Sequence, residues 1–457
     1  MRIINPANDQ LLHEFDDDSA DTVGEKFARA KVAQRSWSAT PLDERLAVMR
    51  RFRELVASRT GSLAEVLTAE VGKPIRQSEN ELRSLLGRID FFLEHTAAEL
   101  SEEVVLDATA GGVEERIAHG PLGVIANVSA WNYPYFVGAN VFVPALLTGN
   151  AVLYKPSEFA TLTGLEIARA LHDAGVPKQI FATVLGGGAV GALLIEQPLD
   201  GVFFTGSVAT GRKIAASVAA RMIRLQLELG GKDAAYVTDD VDVTGAAAGV
   251  ADGAFYNTGQ SCCAVERIYV HTGIWDAFIE SFVDTVRGFA LGDPMDEATY
   301  IGPLARREAQ LKELEAQVHD ALDKGARLVT GGKRADRNGY FFEPTVLVDV
   351  DHSMEVMQKE SFGPIIGLMK VDGDEQATDL MNDSEYGLTA AVYSRSRERA
   401  ERVLRELDVG TAYWNCCDRV SPRLPWSGRR NSGIGCTLST YGIEAFLRPK
   451  AWHLRGP

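Results

Sequence analysis

Only five of the 457 residues are cysteine, and four of them stand in two adjacent pairs, Cys262-Cys263 and Cys416-Cys417. An odd count built on adjacent pairs forms no ordinary disulfide framework, so a reducing compartment, the cytoplasm, is expected. Basic charge is also short: 47 Lys and Arg stand against 63 Asp and Glu, a net charge of −16. Such a surface lacks the footprint of a nucleic-acid binder and is repelled by an anionic membrane, so neither is expected as a partner. No apolar run reaches the length of a bilayer span, and the start, Met1-Arg2-Ile3-Ile4-Asn5-Pro6, has no apolar signal core. Cys-x-x-Cys and His-Glu-x-x-His spacings do not occur, so no metal site is expected. Low-complexity linkers and short repeats are missing too. What remains is an ordinary globular composition, 46% hydrophobic and 24% charged, in a chain long enough for two or more domains.

The first hundred residues read as amphipathic helices, for instance Leu42 to Ser58 with apolar Leu46, Val48, Met49, Phe52 and Val56. Between Glu103 and His119, strand-like stretches flank Gly111-Gly112, a hairpin signal. With no sequence neighbour to cover it, this hairpin is expected to project and meet another chain. From residue 124 short apolar strands alternate with helices. Strands are expected at Val124–Val128, Ala151–Tyr154, Phe181–Leu185, Gly201–Thr205 and Leu225–Leu229, with helices near Thr163–His172 and Val208–Ala219. A second series follows Gly230-Gly231: strand Ala234–Val237, helix Val243–Phe255, strand Arg267–Val270 and helix Ile274–Phe289. Such alternation builds parallel, doubly wound sheets, and Gly230-Gly231 is the expected hinge between two α/β domains. Ligands of open sheets bind beyond the carboxyl ends of the strands.

Two side chains near glycine-rich turns carry the chemistry. Glu228 ends an apolar strand and precedes Leu229-Gly230-Gly231-Lys232, while Cys262 lies in Gly259-Gln260-Ser261-Cys262-Cys263. A thiol can attack a carbonyl and a carboxylate can activate water to release the product. Read singly, Glu228 is a surface residue at a strand end and Cys262 is core packing, since cysteine is among the most buried residue types. Upstream stands Trp131-Asn132-Tyr133-Pro134, and downstream Glu360-Ser361-Phe362-Gly363-Pro364.

These four motifs, in this order, resemble those of the NAD(P)-dependent aldehyde dehydrogenase superfamily, and the likeness runs from Asn5-Pro6 almost to the C-terminus. The resemblance implies an α/β fold of two doubly wound domains, a Rossmann-like cofactor domain and a catalytic domain, plus a small β flap for oligomerisation. It implies residues 1–102 and 122–229 for cofactor binding, 230–430 for catalysis, and 103–121 with 431–457 for assembly into a homodimer or homotetramer. Cys262 is then the nucleophile, Glu228 the general base and Asn132 the donor to the developing oxyanion, with the Cys262 backbone N–H as second donor. Cys263 is expected to face away.

For the cofactor, Gly206-Ser207 through Gly211 follow a strand and open a helix, resembling the family's pyrophosphate site. Gly186 begins a Gly-x-Gly-x-x-Gly run expected as a wall near the adenine. Lys155 and Glu158 resemble the residues that hold the adenosine ribose, Glu360 the one that holds the nicotinamide ribose, and Phe362 the one beside the nicotinamide ring. Trp131 and Leu229 complete the expected set. A carboxylate at Glu158 repels a 2′-phosphate, so NAD is the expected cofactor, with NADP as the alternative. Tyr133, Phe136, Val137, Val141 and Trp426 resemble channel-lining positions for a small aldehyde, and Val141 stands where many relatives carry a cation. Arg419 and Arg423 supply the only argument for a semialdehyde such as succinate semialdehyde. A catalytically silent NAD-binding structural protein is the rival from another class. The intact Cys262, Glu228 and Asn132 set argues against it.

Overall fold

The expected alternation from residue 124 folds into a six-stranded sheet in the computed structural model, which describes residues 1–107 and 112–456. Its strands run in the order Gly433–Ile434, Arg224–Glu228, Gly201–Thr205, Val124–Val128, Ala151–Lys155, Phe181–Thr183, all parallel except the first. Strands Val124–Val128 and Ala151–Lys155 are apolar because helices cover both faces of such a sheet, and Ala151–Lys155 is buried along its whole length. Successive strands step outward from Val124–Val128 to one side and then resume on its other side with Gly201–Thr205. The strand order therefore reverses between these two, which opens a crevice at their carboxyl ends.

Strand Arg224–Glu228 finishes the parallel part of this sheet, and after Leu229-Gly230-Gly231-Lys232 the chain enters Asp233–Val237, an inner strand of a seven-stranded sheet. That sheet runs Arg327–Thr330, Thr345–Val348, Ile365–Val371, Val265–His271, Asp233–Val237, Thr389–Tyr393, Thr411–Trp414, and only the Arg327–Thr330 edge is antiparallel. Helices Val243–Phe255 and Trp275–Arg287 pack Val250, Phe255, Phe278 and Phe282 into its core.

Helix Leu42–Ser58 has the expected bounds and buries the five expected apolar residues. After helix Thr60–Val71 comes Ile75–Leu100, which packs on helix Pro134–Leu147, and that helix starts two residues after Asn132. Strand Phe181–Thr183 stops short of the expected Leu185 because the Asp18 carboxylate takes the Leu185 N–H at 2.7 Å. The Glu103–His119 hairpin appears as Glu103–Leu106 paired antiparallel with Val113–Pro121; Gly111 of its expected turn lies outside the described residues. Strand Leu447–Arg455 pairs with Val113–Pro121 from Leu447↔Pro121 to Arg455↔Val113. The 431–457 stretch splits. Gly433–Ile434 extends the six-stranded sheet beside Glu228, and Leu438, Ile443 and Phe446 enter that sheet's core, while Leu447–Arg455 joins the separate three-stranded sheet.

Candidate active site

A cavity of about 810 Å³ lies at the carboxyl ends of Val124–Val128, Ala151–Lys155, Gly201–Thr205 and Arg224–Glu228, where the strand order reverses. Cys262, Glu228, Asn132, Trp131, Lys155, Glu158, Gly206, Ser207, Leu229, Glu360 and Phe362 all line it. Gly186 and Gly211 do not. Gly186 has φ +147°, and an added Cβ there would meet Val190 Cγ2 at 2.2 Å, so it serves the turn. Gly211 lets helix Val208–Val218 approach Leu229, whose Cδ2 would lie 2.6 Å from an added Cβ.

Cys262 is half-buried in a loop that hydrogen bonds fix from several sides. Asn257, at φ 53°, donates its side-chain amide to Asn132 O at 3.2 Å and Gln260 O at 3.0 Å, and its own N–H goes to Gln77 Oε1 at 2.9 Å. One side chain thus ties the Asn132 loop to the Cys262 loop. Cys263 is buried and donates to Asp418 Oδ1 at 2.9 Å, an oxygen that also accepts from Ser261 Oγ at 3.2 Å. The neighbouring Cys262 thiol and burial together push the Cys263 thiol well up, and burial raises Asp418 to about 6. Of the adjacent pair, Cys262 is the thiol that meets the cavity.

Glu228 is 7% exposed. Its Oε1 accepts from Gln226 Nε2 at 3.1 Å and from Thr437 Oγ1 at 3.4 Å, whereas Oε2 is buried without a partner among the described residues. Burial pushes this carboxyl up to about 8, against the two hydrogen bonds. Its backbone is held as well: the carbonyl accepts Gly206 N–H at 3.0 Å, and the residue pairs with Gly433 across the sheet.

The glycines after Glu228 make room for Glu360. Its Oε1 accepts Gly231 N–H at 3.2 Å and would lie 2.3 Å from a Cβ on Gly230. Burial and the Glu266 charge raise Glu360 to about 8. Glu266 accepts the N–H groups of Ser361 at 2.8 Å and Phe362 at 2.9 Å and pairs with buried Lys232 at 2.7 Å. The two ends of the cavity wall are thereby locked together. Phe362 sits at φ 52°, its ring 5.4 Å from that of Trp131 in an edge-on contact.

At the far end of the cavity Lys155 is 3% exposed, and among the described residues its ammonium reaches only Pro156 O, at 3.3 Å. Burial pulls its pKa down while Glu158 opposes the shift. Ser207 caps helix Val208–Val218 by accepting Thr210 N–H at 3.4 Å, and Gly206, Ser207 and Thr210 put that helix N-terminus on the cavity. An under-partnered buried ammonium, an acceptor carboxylate and a helix N-terminus suit a molecule carrying ribose hydroxyls and a pyrophosphate. A dinucleotide fits this donor set.

On the other side of Cys262, a smaller cavity of about 20 Å³ is lined by Val137, Asn140, Glu228, Trp426 and Thr437. At the start of the helix that supplies Val137 and Asn140, Tyr133 and Phe136 stack at 5.8 Å, with Lys73 Nζ 3.7 Å from the Tyr133 ring centre and the Arg88 guanidinium 3.9 Å from that of Phe136. Val141 is buried in the core. Arg419 is exposed and reaches Asp252 at 3.5 Å, and Arg423 is exposed on its loop. Sequence reasoning missed Gln226, Thr437, Asn257, Lys73 with its ion-pair partner Glu81, and Arg88. Only Gln226 carried a signal, its position two residues before Glu228 on one face of a strand.

The family model described as the aldehyde dehydrogenase family matches residues 1–452. The chain is 34% identical over 448 residues to a succinate-semialdehyde dehydrogenase [NADP(+)] of Deinococcus radiodurans, covering 98% of this chain and 93% of that protein. To the lactaldehyde dehydrogenase of Escherichia coli it is 32% identical over 456 residues, covering 99% and 95%. The crystal structure of Staphylococcus aureus betaine aldehyde dehydrogenase with NAD+ superposes with a TM-score of 0.95 at 31% identity, covering 100% of this chain and 92% of that one.

Proposed function

The chain belongs to the aldehyde dehydrogenase family and is an NAD(P)-dependent oxidoreductase acting on aldehydes, and from that premise we propose the roles of its residues, its cofactor preference and its assembly. Cys262, as thiolate, adds to the aldehyde carbon. The charge that collects on oxygen is met by the Asn132 side-chain amide and the Cys262 N–H. When bound, NAD(P) supplies the acceptor for the hydride that leaves this carbon. A thioester then remains on Cys262, and Glu228 takes a proton from the water that hydrolyses it, freeing the carboxylic acid and the thiol.

The observation that carries this reading is the meeting of a half-buried thiol, the Asn132 loop and a carboxylate with one unpartnered buried oxygen on a single cavity wall. A dinucleotide would be held by Lys155, Glu158 and the Ser207-capped helix at one end and by Glu360 and Phe362 at the other. Glu158 favours NAD over NADP by repelling a 2′-phosphate. The free thiols and adjacent cysteine pairs favour the cytoplasm. Val104 and Val105, exposed on the edge strand Glu103–Leu106, favour assembly with a second copy, as homodimer or homotetramer. The experiment is a panel of aliphatic, aromatic and carboxylated aldehydes with each cofactor, followed by NADH or NADPH absorbance. Oxidation with stoichiometric acid is expected. Absence of turnover on every aldehyde, with dinucleotide still bound, would favour the silent structural protein.

A further inference from the structure

Among the described residues, Arg88 is a buried cation without an ion-pair partner. It lies on helix Ile75–Leu100, two turns beyond Asn80, which meets Tyr256 OH at 3.4 Å. The residue is 5% exposed, and its Nη1 donates to Asn140 Oδ1 at 2.8 Å. Its guanidinium lies over the Phe136 ring, 3.9 Å from the ring centre. Among the described residues no carboxylate forms an ion pair with it. The Glu81 carboxylate, whose charge it feels most, is already committed to Lys73 and to the N–H groups of Tyr135 at 2.9 Å and Phe136 at 3.3 Å. Burial pulls the guanidinium down to about 10, so it stays charged at neutral pH.

A buried charge held only by a neutral amide is costly to fold around and is made good when an anion arrives. The position says which anion. Asn140 and Val137 line the small cavity beside Cys262 and not the large one, so Arg88 stands behind the wall opposite the dinucleotide end. The charges of Cys262 and Cys263 act on it, which puts it within electrostatic reach of the reacting thiol. Arg419 and Arg423 are exposed, and Arg419 already has Asp252. Val141 offers no charge on the neighbouring turn. Lys73 on this side is already paired with Glu81, so among the described residues Arg88 is the buried cation here without an ion-pair partner, and its planar fork suits a carboxylate's two oxygens.

We propose that Arg88 binds the anionic tail of the aldehyde, so that the preferred substrates are oxo-carboxylic acids whose carboxylate sits at the end remote from the carbonyl. The proposal rests on the aldehyde dehydrogenase reading and names the substrate class of that site. Phe136 and Asn140 hold the guanidinium without neutralising it, which leaves its remaining N–H groups for the ligand.

The test compares a graded series of short ω-oxo acids with neutral aldehydes in which an isopropyl group replaces the carboxylate, using the full-length enzyme and NAD. In wild type the best oxo acid should exceed its neutral match in kcat/KM by about tenfold or more. Arg88→Met should erase most of that ratio through KM, and Arg88→Lys should keep part of it. Asn140→Asp leaves Arg88 in place but gives it a carboxylate of its own, and should lower the same ratio; it decides the matter if Arg88→Met does not fold. Calorimetric titration with the corresponding diacid, which needs no turnover, should show binding to wild type and not to Arg88→Met. Equal efficiency on both classes in wild type overturns the proposal. So does a loss in Arg88→Met that is the same for both classes and falls on kcat, which would make Arg88 a support for Cys262. Failure to oxidise any aldehyde would instead count against the dehydrogenase reading.

Discussion

Gln226 donates to the Glu228 carboxylate at 3.1 Å from two residues earlier on the same strand, and this contact and the weaker one from Thr437 at 3.4 Å both fall on one oxygen, leaving the second without a partner among the described residues. The base form is therefore poorly stabilised, and burial holds the carboxyl at about 8. A base must lose its proton to act, so the sign is fixed: thioester hydrolysis should quicken as pH rises through about 8 and slow below it. Glu228→Gln should remove this limb and lower steady turnover about 10²-fold or more while a first burst of NADH survives. Stopped-flow absorbance across pH 6 to 10 checks both. Loss of the burst would move Glu228 into thiol activation.

The buried Cys263–Asp418 contact separates the two adjacent thiols by environment. Cys262→Ser should cut turnover about 10³-fold or more, since a hydroxyl without a strong base is a far weaker nucleophile. NAD affinity, measured by fluorescence titration, should stay near wild type because Lys155, Glu158 and Ser207 are untouched. Brief iodoacetamide treatment followed by peptide mapping should mark Cys262 ahead of Cys263 and Cys417. Retention of most activity in the Ser variant would shift the assignment to Cys263.

Much of the fold was legible because buried parallel strands are apolar runs with turn residues at their ends. Val124–Val128, Gly201–Thr205 and helix Val243–Phe255 fall on their expected residues. Strand Gly433–Ile434 was not legible: two residues carry no periodicity, and its partner Arg224–Glu228 lies far away in sequence. The same reason hid Lys73, Glu81 and Arg88. Glu81 and Arg88 lie on the amphipathic helix Ile75–Leu100, where a charged residue reads as solvent-facing, and Lys73 stands just before it; only the packing of that helix against Pro134–Leu147 turns these side chains inward. Cys262, Glu228 and Asn132 stood out through their likeness to the family's motifs, and the glycines beside them mark where backbone passes close to Glu360 and Gly363.

Glu158 lines the cavity near Lys155, with Ser157 Oγ 3.4 Å from its carboxylate. Like charges brought together cost several kcal/mol, so a 2′-phosphate should be disfavoured by about tenfold or more in kcat/KM. Glu158→Ser should narrow or reverse the ratio of NAD to NADP efficiency. A wild-type preference for NADP would show that the cations nearby outweigh this carboxylate.

Lys73 and Glu81 are both fully buried and paired, and Glu81 also caps the helix that follows the Asn132 loop through the N–H groups of Tyr135 and Phe136. Lys73→Met strands a carboxylate in the interior and should cost about 3–5 kcal/mol, read as a lower midpoint in urea unfolding. Adding Glu81→Gln should recover part of the loss, because a neutral amide oxygen still accepts the two N–H groups. An unchanged midpoint for Lys73→Met would mean that the buried pair contributes nothing to stability. The single variant should also lower kcat, through the displaced Asn132 loop.

The three-stranded sheet stands apart from both large sheets, and most of its Leu447–Arg455 strand is exposed. Its other edge, Glu103–Leu106, presents Val104 and Val105 at about 60% exposure or more. The seven-stranded sheet ends in Thr411–Trp414, an edge whose Trp414 is also exposed. Open edges carrying apolar side chains invite strand addition from other chains, and a symmetric partner of the same sequence closes them. A homodimer is therefore the expected minimum, and a tetramer its doubled form. Light scattering behind size exclusion at low micromolar concentration should give two or four chain masses, and a single chain mass would refute the expectation. Truncation after Phe446 sharpens the test. It removes Leu447–Arg455 and bares the edge of Val113–Pro121, yet keeps Phe446 stacked on Phe203 at 4.4 Å within the core. The truncated chain should keep its helices and sheets by circular dichroism while its assembly dissociates at concentrations where wild type stays intact. If it remains assembled, the contact lies elsewhere on the surface.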